Sequence, residues 1–136
     1  DQRERLDALL PPTVTRGVIT SQVRPAERDT VLQRFERGEL VVLLAPTQIA
    51  CKSLRTQRPE RLFLAFPFSY VRKLEPLIEA LLQPAPGQHD AVIYDYDDPG
   101  VETLHRSFAK RRSFLEQLQR RRAREALRQV QMKLPL

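Results

Sequence analysis

The chain has 136 residues, 41% hydrophobic and 29% charged, with a net charge of +6, proportions that fit one soluble globular domain. No apolar run approaches the roughly 20 residues of a membrane-spanning helix and no signal-peptide pattern opens the chain, so no membrane partner is expected. A single cysteine, Cys51, excludes an internal disulfide and a cysteine-rich zinc site, and His89 and His105 lie too far apart for a metal cluster; no metal is expected, and a cytoplasmic setting is.

In chain order, Arg3 to Leu10 reads as an amphipathic helix with Leu6, Leu9 and Leu10 on one side, stopped by Pro11 and Pro12. Gly17 to Thr20 is a short apolar strand. Pro25 opens a helix at its first turn, where a missing N–H costs nothing; Val31, Leu32 and Phe35 form its buried stripe, and Gly38 stands where a C-terminal cap belongs. Leu40 to Ala45 is a continuous apolar strand of the kind buried on both faces of a parallel sheet. A polar stretch, Gln48 to Glu60, separates it from a second such strand, Arg61 to Phe66.

Ser69 to Leu82 reads as helical, with Pro76 kinking it or starting its regular part, and Pro84 to Gln88 as a loop. Ala91 to Tyr96 is a third strand. Asp95, Asp97 and Asp98, followed by Pro99 and Gly100, point to turn formation and helix capping rather than to a metal-binding carboxylate cluster. The last helix runs from about Val101 to about Val130, with Leu104, Phe108, Leu115 and Leu118 as its core-facing stripe. Beyond Leu118 the pattern turns basic, which divides the chain into a domain over 1–118 and a basic helical extension or tail over 119–136. Strands alternating with helices predict a parallel α/β sheet with right-handed crossovers. Such a domain usually begins with a strand, whereas residue 1 falls directly before a helix; a first strand in a longer parent chain is expected.

Most of the positive excess lies between Arg106 and Lys133, leaving the remainder nearly balanced. Such a distribution favours a polyanion, and nucleic acid is the commonest in the cytosol. Arg120, Arg121, Arg122 and Arg124, with Arg128, form a run suited to phosphates; the alternative is a solvated helix. Lys110, Arg111 and Arg112, one turn or more upstream, are further candidate nucleic-acid contacts, as are Arg72 and Lys73, for which plain surface charge is an equal alternative.

Four stretches carry a resemblance. Ile19 to Arg28, ending in Pro25-Ala26-Glu27-Arg28, turns from a strand into a helix; Phe35, Gly38 and Val41 to Ala45 lead into a strand; Leu62 to Ser69 reads LFLAFPFS; and Tyr94-Asp95-Tyr96-Asp97 precedes Phe108, Lys110 and Arg111. In order and spacing they resemble the second RecA-like motor domain of superfamily-two DEAD/DEAH-type DNA helicases, in particular those found beside primase-polymerases in bacterial defence loci. The resemblance covers nearly the whole chain to about Leu118. It implies a three-layer parallel sheet, DNA or another nucleic acid as partner, and a preceding motor domain in the same parent chain or complex.

The departures concern the working residues of that family. Where its fifth motif carries Thr-Gly and then an acidic run, this chain has Pro46-Thr47 and Lys52-Ser53-Leu54-Arg55. Where its sixth motif carries a glutamine and two arginines, the aligned stretch runs from Glu75 through Glu79 and Ala80 to Gln83. For Lys52 and Arg55 a new phosphate contact competes with drift in a solvated loop. An arginine finger is worth about 10³ to 10⁵ in rate; alanine supplies no such charge, and no phosphate-cradling loop occurs in the chain. The resemblance therefore implies a nucleic-acid-binding domain without ATPase activity of its own and without a cofactor, ATP entering only if a partner motor domain is present. Two other readings remain open at this point: a functional second motor domain completed by a domain outside this chain, and a protein-interaction module whose basic helix docks an acidic partner.

Overall fold

The computed structural model describes residues 2–54, 59–65, 67–68, 71–82 and 91–133; Arg55, Gln83 and His89 lie outside them. The chain is α/β and divides into two compact units, Asp1–Arg61 with Lys73–Val92, and Leu62–Arg72 with Ile93–Leu136.

The first unit contains α1 (Gln2–Leu9), β1 (Arg16–Val18), α2 (Pro25–Glu36), β2 (Val42–Leu44), α3 (Thr47–Ser53) and α4 (Glu75–Leu81). β1 and β2 pair in parallel with Arg16 opposite Val42, Gly17 opposite Leu43 and Val18 opposite Leu44. The ladder extends one residue further through the Ile19 N–H, which donates to the Leu44 carbonyl at 2.9 Å. Helix α2 crosses between the two strands and packs on β1, a βαβ unit in which parallel strands need a helical connection. Gly17 makes the close approach: a Cβ there would lie 2.6 Å from Val31 Cγ1 and 2.8 Å from Leu40 Cδ1.

Local signals set the ends of α2. Pro25 occupies its first turn. At the other end Gly38 takes φ 77°, a left-handed conformation that favours glycine. The Gly38 N–H then reaches the Phe35 carbonyl and the Glu39 N–H the Arg34 carbonyl, both at 3.0 Å. These are the two bonds of a Schellman cap. An apolar contact often accompanies that motif, whereas here Arg34 Nε meets Glu39 Oε2 at 3.1 Å.

Leu32 of α2 is buried together with Ile19, Leu40, Leu54, Leu74, Leu77, Ile78 and Leu81, which supply the core of this unit. Leu9, expected on the inner side of α1, is exposed. The stretch after β2 also departs from expectation. It is not a wholly polar connection, because Pro46 fixes the start of α3 and its carbonyl accepts from Ile49 and Ala50 at 3.0 Å. Leu54, just past the last turn, is buried, and α3 packs against α4. Pro76 starts the regular part of α4, after a 3-10 turn at Val71–Leu74.

β3 (Arg61–Leu64) and β4 (Val92–Asp95) pair as a second sheet, most of which belongs to the second unit, with α5 (Glu102–Lys133). Each sheet has two strands among the described residues, where a single three-layer sheet was expected. Burial alternates along both strands of the second sheet, so one face is open rather than both being covered. Phe63, 55% exposed, and Tyr94, 38% exposed, stack on that face with ring centroids 4.6 Å apart.

Helix α5 has 32 residues, about 48 Å at 1.5 Å per residue. It contains no Gly or Pro and consists mostly of strong helix formers, so it passes the 118/119 boundary without a break. Leu118 is its last buried side chain among the described residues.

Candidate nucleic-acid interface

The charged residues of α5 fall on different faces of the helix, and this separates buried arginines from exposed ones. A helix repeats every 3.6 residues, so steps of three and four stay on one side. Leu104, Phe108, Arg111, Leu115, Leu118 and Arg122 form the inward line by that spacing. Lys110, Phe114, Gln117, Arg121, Arg124 and Arg128 form a second line, with Arg120 beside it.

Arg111 is the main correction to the sequence reading. Expected to touch nucleic acid, it is 2% exposed and fills the gap in the apolar stripe between Phe108 and Leu115. Its Nε donates to both carboxylate oxygens of Asp95, at 3.0 and 2.9 Å. Nη1 donates to the Phe68 carbonyl at 3.0 Å and Nη2 to the Tyr96 carbonyl at 3.4 Å, while the guanidinium carbon lies 5.5 Å from the centre of the Phe68 ring. An arginine so enclosed is out of reach of a phosphate in solvent. Asp95, expected to act in capping, is its counterion, with a side chain 9% exposed that also accepts from the Tyr96 N–H at 2.9 Å.

The other aspartates serve the turn. The Asp98 carbonyl accepts from the Val101 N–H at 3.1 Å, and Asp97 Oδ1 lies 2.8 Å from His105 Nδ1 in the first turn of α5.

Arg112 is exposed on a different side from Lys110 and pairs with Glu116 at 3.1 Å. Arg122 is half-buried on the inward line. By contrast Lys110, Arg120, Arg121 and Arg124 are exposed on the same side. Arg128, also exposed, extends that face by another turn. Gln117, Arg120, Arg121, Arg124, Glu125 and Arg128 line one surface depression, and Gln117 and Lys110 also line an open groove with Val71, Ala109, Ser113 and Phe114. From Lys110 to Arg128 the face runs about 27 Å at the helical rise. Arg72, exposed, follows Val71 of that groove.

Residues 119–133 carry five Arg and one Lys against one Glu, a net +5 against +6 for the whole chain. Arg120, Arg124 and Arg128 repeat at i, i+4 and i+8, and like charges at that spacing cost each pair about 0.2–0.5 kcal/mol of helix stability. The arrangement does not serve the helix itself. It concentrates positive charge along a line, and a polyanion binding there would relieve the repulsion.

In the first unit, Lys52 is exposed on α3, while Glu75, Glu79 and Ala80 are half-buried on α4; the packing of α3 against α4 makes these two stretches neighbours. Lys73 is exposed in the 3-10 turn. Burial pushes the Cys51 thiol above its ordinary range, with nearby Lys73 pulling less strongly the other way, so the thiolate that a nucleophile requires is disfavoured. Among the described residues no group of three or more His, Cys, Asp and Glu could hold a metal ion, and no helix is long and apolar enough to cross a membrane. No protein-family model, curated protein or solved structure matches the chain.

Proposed function

We propose that the chain is the second RecA-like half of a superfamily-two DNA helicase, kept as a nucleic-acid-binding, non-catalytic part of a larger DNA-processing protein in the cytoplasm. The observation that carries this reading is the α5 face bearing Lys110, Arg120, Arg121, Arg124 and Arg128, exposed and set apart from the inward-facing Arg111. The parallel βαβ unit of β1, α2 and β2 supports an α/β ancestry of RecA type, in which the full sheet would have three layers. The loss of catalysis follows from the residues at the family's motif positions. Ala80 offers no charge and Glu79 the wrong sign where a γ-phosphate would need an arginine.

Binding of a labelled DNA by the 136-residue chain, measured by anisotropy across a salt series, tests the proposal. Affinity should fall steeply between about 50 and 200 mM salt, because releasing condensed counterions gains less entropy as the bulk salt rises. Replacing Arg120, Arg124 and Arg128 together by alanine should flatten the slope of log K against log salt by roughly 2 to 3, since each phosphate contact contributes about 0.7–0.9. No binding at the lowest salt, or an unchanged slope in the triple variant, refutes it. The chain alone should release no phosphate from ATP with or without DNA, and turnover would restore the functional-motor reading.

A further inference from the structure

The projecting half of α5 has a second property, independent of its net charge. Between Gln119 and Met132 every side chain is exposed except the half-buried Arg122. The helix is therefore open around nearly its whole circumference for about four turns. On that exposed length the spacing gathers Ala123, Ala126, Leu127 and Val130 into one arc, with Gln119 at its N-terminal end. Leu127 is 64% and Val130 57% exposed. Arg120, Arg124 and Arg128 flank the arc on one side and Arg122 on the other. Glu125, the only acid, projects from the opposite side.

We infer that this half of α5 enters the major groove of duplex B-DNA. The inference rests on the nucleic-acid reading above and narrows its substrate. A helix with side chains is about 10–12 Å across, and the major groove of B-DNA is about 12 Å wide. Inside the groove the exposed Arg120, Arg124 and Arg128 meet the phosphates of one wall. The arc of small and apolar residues meets the base edges, where alanine and other apolar groups contact thymine methyls. Only Gln119 on the arc reads base edges by hydrogen bonding, so affinity comes from phosphates and sequence preference is slight.

Other anionic surfaces fit less well. Single strands are held by aromatic side chains on which bases stack, and residues 119–133 contain none. Duplex RNA has a deep, narrow major groove that side chains cannot read. Two alanines, one leucine and one valine give little surface for a bilayer interface, where helices present larger apolar faces.

The test compares binding of the whole chain to a DNA duplex of roughly 20 base pairs, the RNA duplex of the same sequence and each single strand, at equal salt. The DNA duplex should bind at least about ten-fold tighter than the others. Leu127→Glu, which puts a carboxylate against the bases, should cost at least about ten-fold on duplex DNA. Leu9→Glu makes the same substitution and charge change on α1, in the first unit, and should cost no more than about two-fold. Both positions are exposed, and circular dichroism verifies that the helix survives. Equal or tighter binding to single strands or duplex RNA overturns the groove and leaves nucleic-acid binding standing. Equal losses in the two variants do the same, because only net charge would then matter. Failure to bind any nucleic acid refutes both readings, and tighter binding to vesicles of anionic phospholipid than to DNA refutes the groove in favour of a membrane surface.

Discussion

Replacing Arg111 by alanine is the sharpest probe of the second unit. Its buried side chains among the described residues are Leu64, Arg111 and Leu118, so a charged residue occupies a large part of a small core. The change removes the partner of Asp95, whose carboxylate stays enclosed. It also removes the donors to the Phe68 and Tyr96 carbonyls. Breaking a buried ion pair from one side costs about 3–5 kcal/mol, largely because the remaining charge is left uncompensated. The longer bond to Tyr96 adds little, and the terms are not additive. A domain's total stability is about 5–15 kcal/mol, so the variant should lose a large fraction of it. Urea unfolding followed by circular dichroism, which reports chiefly on α5 in this unit, measures the loss. A companion variant, Arg111→Met with Asp95→Leu, removes both charges and should recover most of it, since apolar replacement of a buried pair is often neutral or favourable. A loss below about 1 kcal/mol for Arg111→Ala, the range of an exposed ion pair, would refute the structural role. So would a loss of DNA affinity with unfolding unchanged.

Two further predictions concern the first unit. Gly17→Ala should cost about 1–3 kcal/mol by overpacking, because the new methyl would press on Val31 and Leu40; thermal melting checks this, and an unchanged midpoint would mean that α2 can move away from β1. Cys51 should react with a disulfide reagent near pH 8 more slowly than a free thiol, since burial disfavours the thiolate. The sign for stability follows from the same shift: the folded state holds the proton more tightly than the unfolded one. Cys51 therefore contributes below the unfolded value, and its contribution is lost as pH rises through the folded one.

Much of the fold was legible because local chemistry left few choices. Pro25 and Gly38 bracket α2, Pro76 starts α4, and the apolar run before Pro46 holds β2. Helix α3 was hidden by the polar composition of its stretch, although Pro46, Ile49 and Leu54 carried the signal. The open face of the second sheet could not be read from Leu62 to Phe66, because a continuous apolar run looks the same whether one face is covered or two. Arg111 illustrates the opposite difficulty. Its spacing from Phe108 and Leu115 placed it on the inward line, but arginine is seldom fully buried without a partner. That partner, Asp95, lies 16 residues away on a strand, and only the fold brings the two together. The same spacing would have separated Arg112 from Lys110 and Arg124, which composition alone groups as one basic cluster.

The uninterrupted course of α5 has a consequence for how the chain can vary. Because one helix carries both Arg111 in the core and Arg120, Arg124 and Arg128 outside it, the direction in which those three arginines point is fixed by a residue count. Losing or gaining one residue between Leu118 and Arg120 would turn the whole outer segment by about 100° while leaving the core untouched. Seven residues would return it nearly to its original bearing, two turns further out. The number of residues between Arg111 and Arg120 thus acts as an angular setting for the outer segment.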